Sequence, residues 1–353
     1  MPDTITEAGV LDALRVVIDP DLHKDIVTLG FVKQLTIAGS DVAFTLELTT
    51  PACPVRDLFI QQCEKAIRGT YAGAGKVDIT LSSNVRKDPT LNRGQYLPEV
   101  ANAILVASGK GGVGKSTVAV NLALALAREG AKVGLLDADV YGPSAPTMLG
   151  LLDARVQGEG DRMFPVEKYG IKVISVGFMT NPGQPLPMRG PMLDGILKQF
   201  MGQVNWGKLD YLVMDMPPGT GDVQMTVAQN LKATGAVVVT TPQDVALADV
   251  ERAIGMFNIP ALKTKILGIV ENMSVFVCPH CGKETHIFLS GGGIKAAEKY
   301  GVPFLGKIPL EVSIPESGDS GVPVLVRDPE GPVAAHFMTI AQNLVRGLHH
   351  VTV

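Results

Sequence analysis

Apolar patterning divides the chain near residue 100. Beyond that point, short continuous apolar runs recur at Ala103–Ala107, Val133–Leu136, Val173–Val176, Tyr211–Met214, Ala236–Thr240, Ile266–Val270 and Phe304–Ile308. Continuous rather than alternating apolar character predicts parallel strands covered on both faces. After the first run, Val118, Leu122, Ala125 and Leu126 fall near helical spacing, as a helix packed on such a sheet requires. The pattern predicts an α/β fold with a doubly wound, mostly parallel sheet, and a ligand at the carboxyl ends of its strands. Before residue 100 the pattern is different. Residues 4–18 predict an amphipathic helix carrying Val10, Leu11, Leu14, Val17 and Ile18 on one side, ended by Asp19-Pro20. Two strands, Phe31–Ile37 and Val42–Leu48, flank a turn at Gly39-Ser40. A second helix is expected over 54–68, with Pro54 at its first position and Gly69 past its end, followed by a strand at Val77–Leu81. Residues 83–99 contain Asn, Asp, Pro and Gly and few apolar residues, so the expected organisation is a small α+β domain at 1–88, a linker at 89–100, and the α/β domain at 101–353.

Composition narrows the function classes. A chain of 353 residues is ample for two cores, and its formal net charge of −4 gives no sign of a nucleic-acid-binding surface. Hydrophobic residues make up 46%, yet no apolar run approaches the ~18 residues of a membrane span. The N-terminal residues lack the basic and apolar regions of a signal peptide. Four cysteines do not make a disulfide framework at this length. The expectation is a cytoplasmic protein in a reducing compartment, without nucleic-acid or membrane partners.

The chemistry is concentrated in a few strings. Gly109-Lys110-Gly111-Gly112-Val113-Gly114-Lys115-Ser116-Thr117 contains the full phosphate-loop pattern, between a predicted strand and a predicted helix. Its glycines let successive backbone N–H groups turn toward phosphate oxygens, and the helix N-terminus adds a favourable field. Lys115 is placed to reach the β- and γ-phosphates of ATP, and the Ser116 hydroxyl to ligate Mg²⁺. The strand at Tyr211–Met214 ends in Asp215, the acid expected beside that Mg²⁺. Pro217-Pro218-Gly219-Thr220-Gly221-Asp222 follows, a string able to move with the γ-phosphate. Asp137 and Asp139 end another strand. Taken alone, these two acids have a lesser reading as solvated carboxylates, Lys110 is equally a surface lysine, and Asn272 is an ordinary strand-end residue.

Cys278-Pro279-His280-Cys281-Gly282 is the second strong signal, a knuckle that presents two thiolates to one metal. Zinc and iron–sulfur sites both normally take four ligands. Either His280 or His286 contributes, or two chains each give a pair. Cys53 stands at the start of the second predicted helix, where the helix field is expected to lower its thiol pKa; a small buried hydrophobe is the competing reading. Cys63 shares a helix face with Val55, Phe59 and Ile67 and reads as core.

The loop resembles the deviant Walker A loop of the MinD, ParA and nitrogenase iron-protein group. With DADVYGPS, DMPPGTGD, ENMS and CPHCG in order, and DPDLHKDIVTLGFV and TTPACP in the small domain, nearly the whole chain resembles the Mrp/ApbC family of iron–sulfur cluster carrier ATPases. The resemblance implies a homodimer with ATP sandwiched in it and Lys110 reaching the partner's nucleotide. It makes Asp139 the residue that orients the attacking water, with Asp137 second, and Asn272 the reader of adenine. It implies a [4Fe-4S] cluster held between two Cys278/Cys281 pairs and passed to apo iron–sulfur proteins, assembly scaffolds as further partners, and slow hydrolysis. Two other readings remain: a positioning ATPase of the MinD or ParA kind, and a dimer stapled by structural zinc. The first calls for a basic amphipathic tail, and the stripe near Phe337–Leu348 carries few cations.

Overall fold

The computed structural model describes residues 4–349 except 54, 89–90, 92–95, 140–141, 180–189, 220–223, 226–227, 230–232, 261 and 279. The chain forms two compact units, Met1–Arg86 with Val345–Val353, and Lys87–Leu344.

In the first unit the order is α1 (Glu7–Leu14), β1 (Val32–Ala38), β2 (Asp41–Leu48), α2 (Arg56–Thr70) and β3 (Val77–Ser83). The three strands form one sheet, β1 antiparallel and β3 parallel to β2. Thr6 caps α1 by accepting from the Gly9 N–H. The helix is shorter than the expected 4–18. Asp19 Oδ1 accepts from the N–H groups of Asp21 and Leu22, both at 2.8 Å, and draws the chain into a turn. Ile18 therefore bridges to Asp25 and lies exposed instead of joining the apolar side. Val10, Leu14, Phe44, Leu46, Phe59, Cys63 and Ile67 fill the core.

The larger unit holds an eight-stranded sheet. Its strands are β4 (Val100–Ala107), β5 (Val133–Asp137), β8 (Val166–Lys168), β9 (Ile171–Ser175), β10 (Leu209–Asp215), β11 (Gly235–Thr240), β12 (Ile266–Glu271) and β15 (Phe304–Lys307). Their spatial order is β15-β12-β11-β4-β10-β5-β9-β8. Every pairing is parallel except that of β8 with β9. All seven apolar runs fall on strands, except that Val176 already starts a 3-10 turn and Ile308 lies just past β15, and every residue of β4, β5, β11 and β12 is buried, as two covered faces demand. Edge strand β8 and the hairpin of β6 (Gln157–Glu159) with β7 (Arg162–Phe164) were not anticipated. These are three-residue strands with mostly exposed side chains, so they leave no periodic signal. Within the expected linker, Leu91, Tyr96 and Leu97 are buried in the core of this unit, while 89–90 and 92–95 lie outside the described residues.

Helix α3 (Lys115–Arg128) follows β4, and Val118, Leu122, Ala125 and Leu126 are all buried. Between them, α4 (Ala145–Met148) follows β5, α5 (Gly190–Gly202) precedes β10, α6 (Asp244–Asn258) joins β11 to β12 and α7 (Gly292–Tyr300) precedes β15. The chain ends in α8 (Ser313–Asp319), α9 (Val324–Arg327) and α10 (Pro332–His349). Phe337, Ile340, Ala341 and Leu344 of α10 are buried, so its apolar stripe is spent on packing. No described helix is long and apolar enough to cross a membrane.

Candidate functional site: a phosphate loop and a cysteine knuckle

The register of the central strands assembles the first site. Asp215, the last residue of β10, lies level with Asp137 of β5 and Val106 of β4. The loop from Ser108 to Gly114 leaves β4 beside them and enters α3 at Lys115. Gly114 caps α3 with φ +79° and offers no side chain to its free N–H groups, which leaves them available to an anion. Gly109 is needed for another reason: a Cβ there would lie 2.1 Å from the Asp249 carbonyl oxygen of α6. Gly109→Ala is expected to displace the loop from α6, costing about 1–3 kcal/mol by overpacking. A melting temperature equal to wild type would contradict this.

A cavity of about 240 Å³ opens on the loop. Lys110, Gly111, Gly112, Gly114, Lys115, Ser116 and Thr117 line it, together with Asp139, Ser144 and Pro218. Among the predicted loop residues, Gly109 and Val113 do not line it: Gly109 packs against Asp249 and Val113 is buried. Lys115 is 6% exposed, and its Nζ lies 2.5 Å from Asp215 Oδ1 and 3.6 Å from Asp139 Oδ2. Burial raises the Asp215 pKa, and the Lys115 charge draws it back. The Ser116 hydroxyl lies beside the same carboxylate and also lowers its pKa. Asp215 Oδ2 is buried with no hydrogen-bond partner among the described residues. An orphaned carboxylate oxygen next to a serine hydroxyl is the donor set that Mg²⁺ takes in a phosphate-loop site.

The two acids of the Asp137-Ala138-Asp139 string have separate surroundings. Asp137 is fully buried, and its oxygens accept from Asp139 N at 3.1 Å, Ala145 N at 3.2 Å and Ser175 Oγ at 3.0 Å. Burial, reinforced by the nearby Asp215 charge, pushes its pKa up to about 7. This carboxylate anchors the loop that carries Asp139, and only Asp139 faces the cavity. Val140 and Tyr141 of the same string lie outside the described residues, as do Thr220, Gly221 and Asp222. Before them, Gly219 N donates to Ser108 O at 3.1 Å and holds Pro217-Pro218 against the loop. Lys110 is half-exposed on the cavity rim and has no carboxylate partner among the described residues.

Asn272 is buried, and its Nδ2 donates to the Val113 carbonyl at 2.8 Å, so in this structure it braces the phosphate loop. The sequence reading assigned no role to its neighbour Glu271. Glu271 is 2% exposed, and its carboxylate accepts from Gly293 N at 2.6 Å and Gly291 N at 3.4 Å. Ser175 was also missed: it stands as a lone hydroxyl within an apolar run, and its partner Asp137 is 38 residues away.

The second site is the knuckle. It sits between β13 (Phe276–Val277) and β14 (Glu284–Thr285), an antiparallel pair. Gly282 N donates to Cys278 O at 2.9 Å, and Gly282 takes φ +68°, which closes the turn. N–H groups of His280 and then Cys281 point at the Cys278 sulfur and hold its thiol pKa below the usual range. Cys281 is exposed and Cys278 half-exposed. Pro279 lies outside the described residues. Among the described residues no group of three or more His, Cys, Asp or Glu side chains is gathered for a metal, so neither His280 nor His286 completes a site here.

The other two cysteines differ from this pair. Cys63 is fully buried, its thiol pKa pushed up to about 12 by burial. For Cys53 the expected lowering is wrong. Burial, and then the charges of Asp19 and Asp21, push its thiol up to about 11. The helix begins only at Arg56, and its field does not outweigh the lost solvation.

This geometry agrees with what the chain is similar to. Residues 99–345 match the NUBPL iron-transfer P-loop NTPases, and residues 7–81 match a family described as iron-sulfur cluster assembly protein. An iron-sulfur cluster carrier protein of Synechocystis is 50% identical over 96% of this chain and 97% of its own. One from Deinococcus radiodurans is 46% identical over 95% and 94%. Among solved structures, a nucleotide-binding protein from Archaeoglobus fulgidus in complex with ADP is 41% identical over 70% of this chain and 96% of its own, with a TM-score of 0.61. With residues 99–345 matched, a phosphate loop and paired acids at the strand ends and a two-thiol knuckle after β12, the chain belongs to the NUBPL iron-transfer P-loop NTPase family.

Proposed function

We propose that this chain is an ATP-binding, slowly hydrolysing iron–sulfur cluster carrier, working in the reducing cytoplasm. In this reading it holds one [4Fe-4S] cluster between the Cys278/Cys281 pairs of two copies and passes it to apoproteins. The observation that carries the reading is the ligand count at the knuckle. Two thiols stand ready, one with backbone N–H groups already directed at its sulfur, and no third ligand is gathered beside them among the described residues. A two-fold axis supplies the missing pair. The relatives named as carriers support the identity of the cargo.

The nucleotide site acts as the switch. Loop amides and the start of α3 receive the phosphates, and Lys115 turns from its two carboxylates toward the β- and γ-oxygens. Mg²⁺ held by Ser116 and Asp215 would neutralise charge on those oxygens. Asp139 faces the cavity where the attacking water is oriented, and Lys110 on the rim reaches the partner's nucleotide. Asn272, which braces the loop through the Val113 carbonyl, is the residue that reads adenine in this account.

The test is delivery. Load the protein anaerobically, separate it from free iron and sulfide, and mix it with an apo-ferredoxin of the [4Fe-4S] type. Acceptor absorption should appear with wild-type donor and vanish with Cys278→Ala donor treated alike. Equal delivery from both donors would refute the proposal.

A further inference from the structure

The knuckle and the phosphate loop meet at one dipeptide. β12 ends at Glu271, and the chain that follows is fastened to residues 308–310: Ile308 N donates to Glu271 O at 2.8 Å, Ser274 N to Ile308 O at 3.0 Å and Leu310 N to Val275 O at 2.7 Å. A bridge from Phe276 to Leu310 carries this fastening to β13 and the base of the knuckle. The chain returns from the knuckle to Gly291–Gly293 at the start of α7, where the buried Glu271 carboxylate accepts two N–H groups. Entry and exit of the knuckle segment are thus both pinned at Glu271. Its neighbour Asn272 grips the phosphate loop through the Val113 carbonyl.

Sterics leave this joint little slack. A Cβ on Gly114 would lie 2.2 Å from Asn272 Nδ2, and one on Gly293 would lie 2.8 Å from Glu271 Cβ. A Cβ on Gly292 would lie 2.5 Å from the Pro242 carbonyl oxygen. Met273, directly after the pair, holds φ +56°, a left-handed conformation that is strained for its side chain. A shift of the Val113 carbonyl therefore has a short, hydrogen-bonded path to both ends of the knuckle segment.

We propose that Glu271 and Asn272 are positioning residues that couple the phosphate loop to the cysteine knuckle, so that nucleotide binding changes the posture of Cys278 and Cys281. This deepens the carrier reading and rests on it for its purpose, but its test needs no cluster. Treat the full-length, metal-free chain with a maleimide and follow alkylation of Cys278 and Cys281 by peptide mass spectrometry. Compare nucleotide-free protein with protein saturated by Mg-ADP, at concentrations where light scattering shows one oligomeric state throughout. Wild type should change rate at least about fivefold, the lower end of ordinary coupling between sites. At full occupancy, verified by calorimetry, Asn272→Ala should lose that difference. Glu271→Gln, which keeps the shape but weakens the acceptor, should reduce it without changing ADP affinity. Both variants keeping the wild-type difference would overturn the proposal, and so would a wild type whose rates ignore ADP. A chain that passes this test yet takes up no cluster would remove the carrier reading alone.

Discussion

Replacing Lys115 by alanine is expected to weaken ATP binding by about 2 kcal/mol or more, roughly 30-fold, because a charge-assisted contact to phosphate is lost. The structure adds a second consequence. Lys115 is the cation between Asp215 and Asp139, all three buried or nearly so. Burial already raises the Asp215 pKa, and Lys115 is the largest influence lowering it. Without the lysine the folded-state pKa climbs further above the unfolded 3.8. An acid with a raised folded pKa holds its proton harder when folded, so its penalty on stability grows as pH rises. The melting deficit of Lys115→Ala relative to wild type should be smaller near about pH 5 than near about pH 8. Calorimetric titration with ATP and melting curves at the two pH values check both parts. Unchanged affinity, or a deficit that shrinks with pH, would contradict the assignment.

Lys110→Ala should keep most nucleotide binding and lose hydrolysis by ~10²-fold or more, since a charge facing the transferring phosphoryl group is missing. Lys110 stands on the cavity rim without a carboxylate partner among the described residues, whereas Lys115 is buried between two. The two lysines of one loop therefore have different work available to them. Mixing separates the possibilities. Combine Lys110→Ala chains with hydrolysis-dead Asp139→Ala chains in equal amounts. If Lys110 acts across the dimer, half the dimers are mixed and each has one good site, giving about a quarter of wild-type turnover. If mixed dimers form and turnover stays at the level of the variants, Lys110 does not act in trans.

The sequence made the parallel sheet legible because runs such as those of β4 and β10 are apolar throughout, and a strand buried on both faces leaves no other pattern. The phosphate loop was legible because its glycines are dictated by backbone geometry, as Gly109 against Asp249 shows. What escaped was of two kinds. Strands β6, β7 and β8 are three residues each, too short to leave a periodic apolar pattern, although Met163 of β7 packs against the core. Side chains whose role lies in a long-range bond were also hidden: Ser175 to Asp137 spans 38 residues and Asn272 to Val113 spans 159. For Cys53 the sequence left a helix-activated thiol and a buried hydrophobe open, and the burial that raises its thiol pKa comes from tertiary structure.

The central claim is that two chains close one iron–sulfur site. Its most direct test is composition. Reconstitute the purified full-length chain anaerobically, then measure iron, acid-labile sulfide, zinc and molar mass on the same sample. The account predicts a dimer with about two irons and two sulfides per chain, and neither above background in Cys278→Ala. One zinc per dimer with no iron, or a cluster that survives in Cys278→Ala, would contradict it.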